Sequence, residues 1–209
     1  MFGRVPGLVA CGPSDGAGPI IALELVRTAG QVTALFGSEP CTSTLIAAQR
    51  EALWLDMLAF IPAYTGFLAL GAFALRCSGL VLALAAMSVF LAAGAFDEIE
   101  GLVLFKLLAN LPGTQAIYDS LFWTVRPKFA LLGLGEIMLA ALLWRGSLAG
   151  KVASGLLLAG GLASLYFLLN DPHAPAMMKG HTYAWGALLI AALVGAWRPD
   201  LVARESAAK

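Results

Sequence analysis

The chain has 209 residues, of which 60% are hydrophobic and 12% charged, and its 13 basic and 13 acidic residues cancel to a formal net charge of zero. A soluble domain carries roughly twice that charged fraction, which excludes an ordinary water-soluble globule. The absence of net charge argues against a nucleic-acid partner or a polybasic lipid-binding tail.

The mean hydropathy of +0.84 is concentrated in runs long enough to cross a hydrocarbon core, which takes about 20 helical residues. Residues 1–18 read as a flexible Gly/Pro segment. Arg4 is present, but Val5 to Gly18 holds four glycines, two prolines and Asp15, so the continuous apolar stretch of a cleavable signal is not expected. From Pro19 to Phe36, Ile20, Leu23, Val26 and Leu35 fall near one face, with Glu24, Arg27 and Gln31 elsewhere. This predicts a short amphipathic helix on the membrane surface, broken by Gly37 to Ser43. Cys11, Cys41 and Cys77 form no CxxC pair, so no zinc or redox motif is indicated. Cys11 and Cys41 can pair if the N-terminus is extracytoplasmic; the sequence favours free thiols.

The first span is expected at about Leu53 to Leu75, kinked at Pro62. The second starts at Gly79 and meets Asp97-Glu98-Ile99-Glu100 before continuing apolar. Leu111 to Val125 reads as a loop with a weakly amphipathic stretch, opened by Pro112 and Gly113. The third span is about Phe129 to Trp144, the fourth about Val152 to Leu169 and the fifth about Thr182 to Trp197. The fold class is therefore all-α: a polytopic transmembrane bundle of about five spans with an N-terminal amphipathic interfacial helix. Its divisions are 1–51 (flexible and interfacial), 52–198 (bundle) and 199–209 (polar tail). Trp54, Trp123, Trp144, Trp185 and Trp197 fall near span ends, as membrane interfaces favour. Gly155, Gly160, Gly161 and Ser164 permit close helix packing.

Five spans put the N-terminus and the loops 111–128 and 170–181 on one side. The 76–78 and 145–151 turns and the C-terminus fall on the other. The second side carries Arg76, Arg145, Lys151, Arg198, Arg204 and Lys209 close to span ends; the first carries Arg50, Arg126, Lys128 and Lys179. The excess favours N-out, C-in.

The same parity collects the ionisable residues. Asp56, Asp97, Glu98, Glu100, Arg126 and Lys128 all reach the N-terminal side, and Asp97 and Glu100 share a helix face. Glu136 lies roughly 12 Å deeper by helical rise. An ionised carboxylate there costs about 2.5–3.5 kcal/mol or more unless paired, protonated or wet, so Glu136 must point into the bundle or hold a proton. One reading is a polar pocket lined by Asp56, Asp97, Glu100 and Glu136. Arg126 and Lys128 would stand at its mouth, Tyr64 and Pro62 beside it, and loop residues His173 and His181 over it. The other is a salt-bridge network that fixes how the helices assemble. His173 and His181 are eight apart without HxxxH or HExxH spacing, a weak metal signal. No cofactor is evident. No GxSxG, P-loop or dinucleotide fingerprint occurs, and Ser88 and Ser164 lie in apolar runs without a nearby histidine.

Leu55-Asp56, Phe60-Ile61-Pro62-Ala63-Tyr64 and Asp97-Glu98-Ile99-Glu100 give the chain, from about Leu45 to Trp144, a further reading. It resembles a group of uncharacterised bacterial multi-pass membrane proteins. Their pattern is an amphipathic N-terminal segment, an Asp before an FxPxY stretch, and a DxxE step late in the next span. The usual form has Asn after that Glu, where this chain has Gly101. The resemblance supplies no activity, but implies a bacterial inner-membrane location and that Asp56, Tyr64, Asp97 and Glu100 belong to one architecture.

Three functions compete. The first is a non-enzymatic accessory subunit, or a binder of a small amphipathic or lipid ligand, with membrane lipids and a membrane-protein partner. The second is a membrane-embedded enzyme acting on a lipid-like substrate by acid–base or metal chemistry. The third is a proton- or cation-coupled transporter using Glu136, against which the lack of a visible repeat counts.

Overall fold

The computed structural model describes residues 5–198. Arg4, Arg204, Lys209 and the expected polar tail lie outside the described residues.

The described chain is all-helical. Its order is α1 (Gly18–Glu24), α2 (Ala29–Phe36), α3 (Cys41–Leu55), a π turn (Asp56–Phe60), α4 (Ile61–Ala74), a 3₁₀ turn (Leu75–Ser78), α5 (Leu80–Ala109), α6 (Gln115–Leu143), α7 (Leu148–Asn170) and α8 (Pro175–Trp197). Three helices are long and apolar enough to cross a membrane: Cys41–Ser78 of 38 residues, Leu80–Ala109 of 30 and Leu148–Asn170 of 23. Helices α6 and α8, of 29 and 23 residues, match that length but are not among the three.

The stretch from Pro19 to Phe36 is two helices rather than one. Pro19 sits in the first turn of α1, where its missing N–H costs nothing. Thr28 then adopts an extended backbone and its hydroxyl accepts the N–H of Gln31, capping α2. α1 buries Leu23 together with Glu24, and α2 buries Val32, Leu35 and Phe36. Glu24 therefore faces inward, not onto the polar face expected for it.

The first membrane-length helix is interrupted where Pro62 requires. A proline cannot donate to the preceding turn and its ring crowds the carbonyl four residues back. The helix widens ahead of it, and the Ile61 N–H bonds to the Asp56 carbonyl. The expected loop Leu111 to Val125 is mostly helix, since α6 begins at Gln115. Tyr118, Leu121 and Val125 recur at helical spacing and are buried.

The chain divides into two compact units. The first contains the chain up to Ala63, Gly94–Lys128 and Asp171–Pro175; the second contains Tyr64–Ala93, Phe129–Asn170 and the described part from Ala176 onward. In the first unit, Cys11 and Cys41 form a disulfide with Cα atoms 5.9 Å apart, correcting the expectation of free thiols. The Gln49 amide donates to the Pro19 carbonyl at 2.8 Å, tying α3 to α1. In the second unit, α7 packs closely on α8 and on α6 through small residues. A Cβ on Gly160 would lie 2.5 Å from the Gly180 carbonyl oxygen, and one on Gly161 2.7 Å from that of Gly133. Apolar burial gains little between helices in lipid, so such close approach and buried polar pairs carry the association.

Candidate functional site

The ionisable residues are built into two clusters, one within each unit.

In the first unit Lys128 reaches three carboxylates. Its ammonium lies 2.9 Å from Glu24, 3.0 Å from Asp97 and 2.7 Å from Glu100. All four residues are buried, Glu100 to 1% exposure. Asp97 and Glu100 are presented by adjacent turns of α5 and Lys128 by α6; Glu24 arrives from α1. An ammonium has three donors, and here three carboxylates meet it. Burial pushes the Glu24 carboxyl above the usual glutamate range; Lys128 opposes that shift and Asp97 reinforces it. Of the residues read from the sequence as one polar group, Asp97, Glu100 and Lys128 meet here, joined by Glu24.

Around this cluster, Asp56 is half-buried at the start of the π turn. Arg126 lies over the Phe122 ring at 4.8 Å and Arg27 over the same ring at 5.2 Å. Burial, with Arg126 nearby, lowers the Arg27 pKa from its ordinary value. His173 lines a small cavity of about 100 Å³ with Pro13, Asp15 and Gln31. Among the described residues no group of three or more His, Cys, Asp or Glu side chains is arranged to hold a metal ion.

In the second unit the centre is Glu136, which is fully buried. Its Oε1 accepts from His181 Nδ1 and from the Trp185 indole N–H, each at 2.7 Å. A carboxylate offers only acceptors: facing one, a neutral imidazole carries its proton on Nδ1 and leaves Nε2 to accept. The Ser164 hydroxyl supplies that bond at 2.5 Å. Ser164 and His181 are 0% and 1% exposed. His181 also stacks on Phe129 at 5.9 Å, and Tyr64 stacks on Trp185 at 5.1 Å. The second Glu136 oxygen, Oε2, is buried without a hydrogen-bond partner.

Several sequence expectations change here. His181 is not a loop residue but lies inside α8, facing Glu136. Trp185 is not an end marker: Trp54, Trp123, Trp144 and Trp197 are exposed, whereas Trp185 turns inward as a donor. Ser164 is more than a small packing residue, since its hydroxyl ends a polar chain of three side chains. Span parity places His181 over a pocket that includes Glu136, whereas Glu24 and Ser164 have no signal that groups them with their partners. Only the rule that a buried charge must find a partner points to Glu136 needing one.

The same unit holds an apolar groove between α7 and α8, with a volume of about 660 Å³. Compared with known proteins, the chain matches no family model, no curated protein and no solved structure.

Proposed function

We propose that the chain is a non-enzymatic membrane protein, an accessory subunit or a binder of a small amphipathic, lipid-like ligand. It spans the bacterial inner membrane about five times, with its N-terminus outside. One observation carries the reading: both ionisable clusters are sealed from solvent, with Lys128, Glu100, Glu136 and His181 all at most 3% exposed. Acid–base work on a substrate needs a group that can reach it, and neither cluster offers one. Room for a ligand exists instead at the apolar groove of the second unit. The Cys11–Cys41 disulfide supports the topology, because such bonds persist in oxidising compartments.

The test is mass analysis of the purified protein after detergent exchange. A lipid-sized ligand retained near one per chain is the expected result; a chain stripped bare overturns the reading.

Proton or cation coupling through Glu136 is the second reading, favoured by the buried, unpartnered Oε2. Wild-type protein in liposomes that collapses an imposed pH gradient, with Glu136→Gln failing to do so, would establish it. The Ser164–His181–Glu136 order also matches the connectivity of a nucleophile, base and orienting acid. A fully buried serine hydroxyl argues that here the chain of bonds serves cohesion.

A further inference from the structure

The groove in the second unit has a shape and a charged end that specify its occupant. α7 and α8 run antiparallel, since Ser164 meets His181 and Gly160 meets Gly180. Towards the start of α7 and the end of α8 they part. Ala153, Ala187 and Ala191 form a buried floor, at 6–7% exposure, while Leu148, Val152 and Ile190 stand as walls at 80%, 59% and 65% exposure. Short floor residues between tall walls make a channel, and none of its lining residues is charged. Leu148 to Leu156 spans about 12 Å by helical rise. Beyond it the helices close, where a Cβ on Gly160 would meet Ala184 at 2.8 Å. The channel is thus short and blind, suited to one hydrocarbon chain rather than to a second helix.

Its open end is basic. Arg198 follows the Ile190–Val194 stripe by one more turn, its N–H bonded to the Val194 carbonyl at 2.7 Å. Lys151 sits one turn into α7 beside Val152, its ammonium 6.0 Å from the Trp144 ring. Both side chains are exposed.

We infer that this groove binds an anionic phospholipid, with one acyl chain between α7 and α8 and the headgroup phosphate against Lys151 and Arg198. The inference rests on the ligand-binding reading above and names its site and ligand class. On the proposed topology this end meets the cytoplasmic leaflet, whose surface is negative and attracts basic side chains near the membrane.

The test uses the full chain in neutral detergent and native mass spectrometry with phosphatidylglycerol or phosphatidylcholine of the same acyl length. Wild type should retain the glycerol lipid about tenfold better, as two basic residues near a surface allow. The exposed double substitution Lys151→Gln and Arg198→Gln should erase that preference and leave the choline lipid at its wild-type level. Ala191→Phe, which raises the floor, should lower retention of both lipids. An unchanged melting temperature and circular dichroism spectrum would exclude misfolding in each variant. Equal retention of the two lipids by wild type, or a preference that survives the double substitution, overturns the anionic site while leaving ligand binding intact. Retention of no lipid overturns both. A dimer that excludes lipid from the groove also overturns the site, and assigns the face to a second copy.

Discussion

His181 Nδ1 lies 2.7 Å from Glu136 Oε1, with both side chains sealed from solvent. Removing one partner of such a pair strands the other in an apolar interior. His181→Ala should therefore cost about 3 kcal/mol or more, read as a lower melting temperature in detergent. Glu136→Gln keeps an oxygen for His181 and Trp185 and should cost less. Equal losses for the two variants would show that the pair contributes little.

Lys128 poses a different electrostatic problem, because it neutralises one of three carboxylates. Lys128→Met leaves Glu24, Asp97 and Glu100 without their cation, and should cost about 3–5 kcal/mol or abolish the folded protein. Adding Glu24→Gln to Lys128→Met removes one repelling charge and should recover part of the loss. A double variant no better folded than Lys128→Met alone contradicts this account.

Glu24 also sets a direction with pH. Its carboxyl is raised above the usual glutamate value by burial. The folded protein therefore binds that proton more tightly than the unfolded chain does. The resulting stability is complete below the ordinary glutamate value and fades as pH rises through the raised folded value. Glu24→Gln should flatten the decline of melting temperature with rising pH. A parallel decline in both proteins would mean that another group controls it.

The cysteines test both the disulfide and the orientation. The protein has three cysteines; Cys11 and Cys41 are bonded and Cys77 is exposed. Unreduced protein should take up one maleimide, and reduced, unfolded protein three. On intact cells an impermeant maleimide should miss Cys77 and label it after lysis. Labelling before lysis would invert the topology. Cys11→Ser should cost about 3–4 kcal/mol, since the bond closes a loop of 30 residues' separation.

The helical, membrane-compatible character was legible because it is local: apolar runs of about 20 residues require no knowledge of what they touch. The i, i+3 placement of Asp97 and Glu100 was legible for the same reason, and so was the need for Glu136 to find a partner. The identity of the partners was not. Glu24 and Lys128 are separated by 104 positions, and Glu136 and His181 by 45. No periodicity carries information across such distances. Pro112 and Gly113 read in sequence as the opening of a long loop, yet they mark a short one, because the Tyr118–Leu121–Val125 spacing continues a helix that begins at Gln115.

Trp185 stands between Tyr64, on which it stacks, and His181, whose ring centre is 5.9 Å away, and its indole N–H is bonded to Glu136. The other four tryptophans are exposed. The protein thus holds an intrinsic fluorophore wired to its most secluded acid and imidazole. Replacing the four outer tryptophans with phenylalanine would leave an emission spectrum that reports the charge state of that interior optically, without an added label.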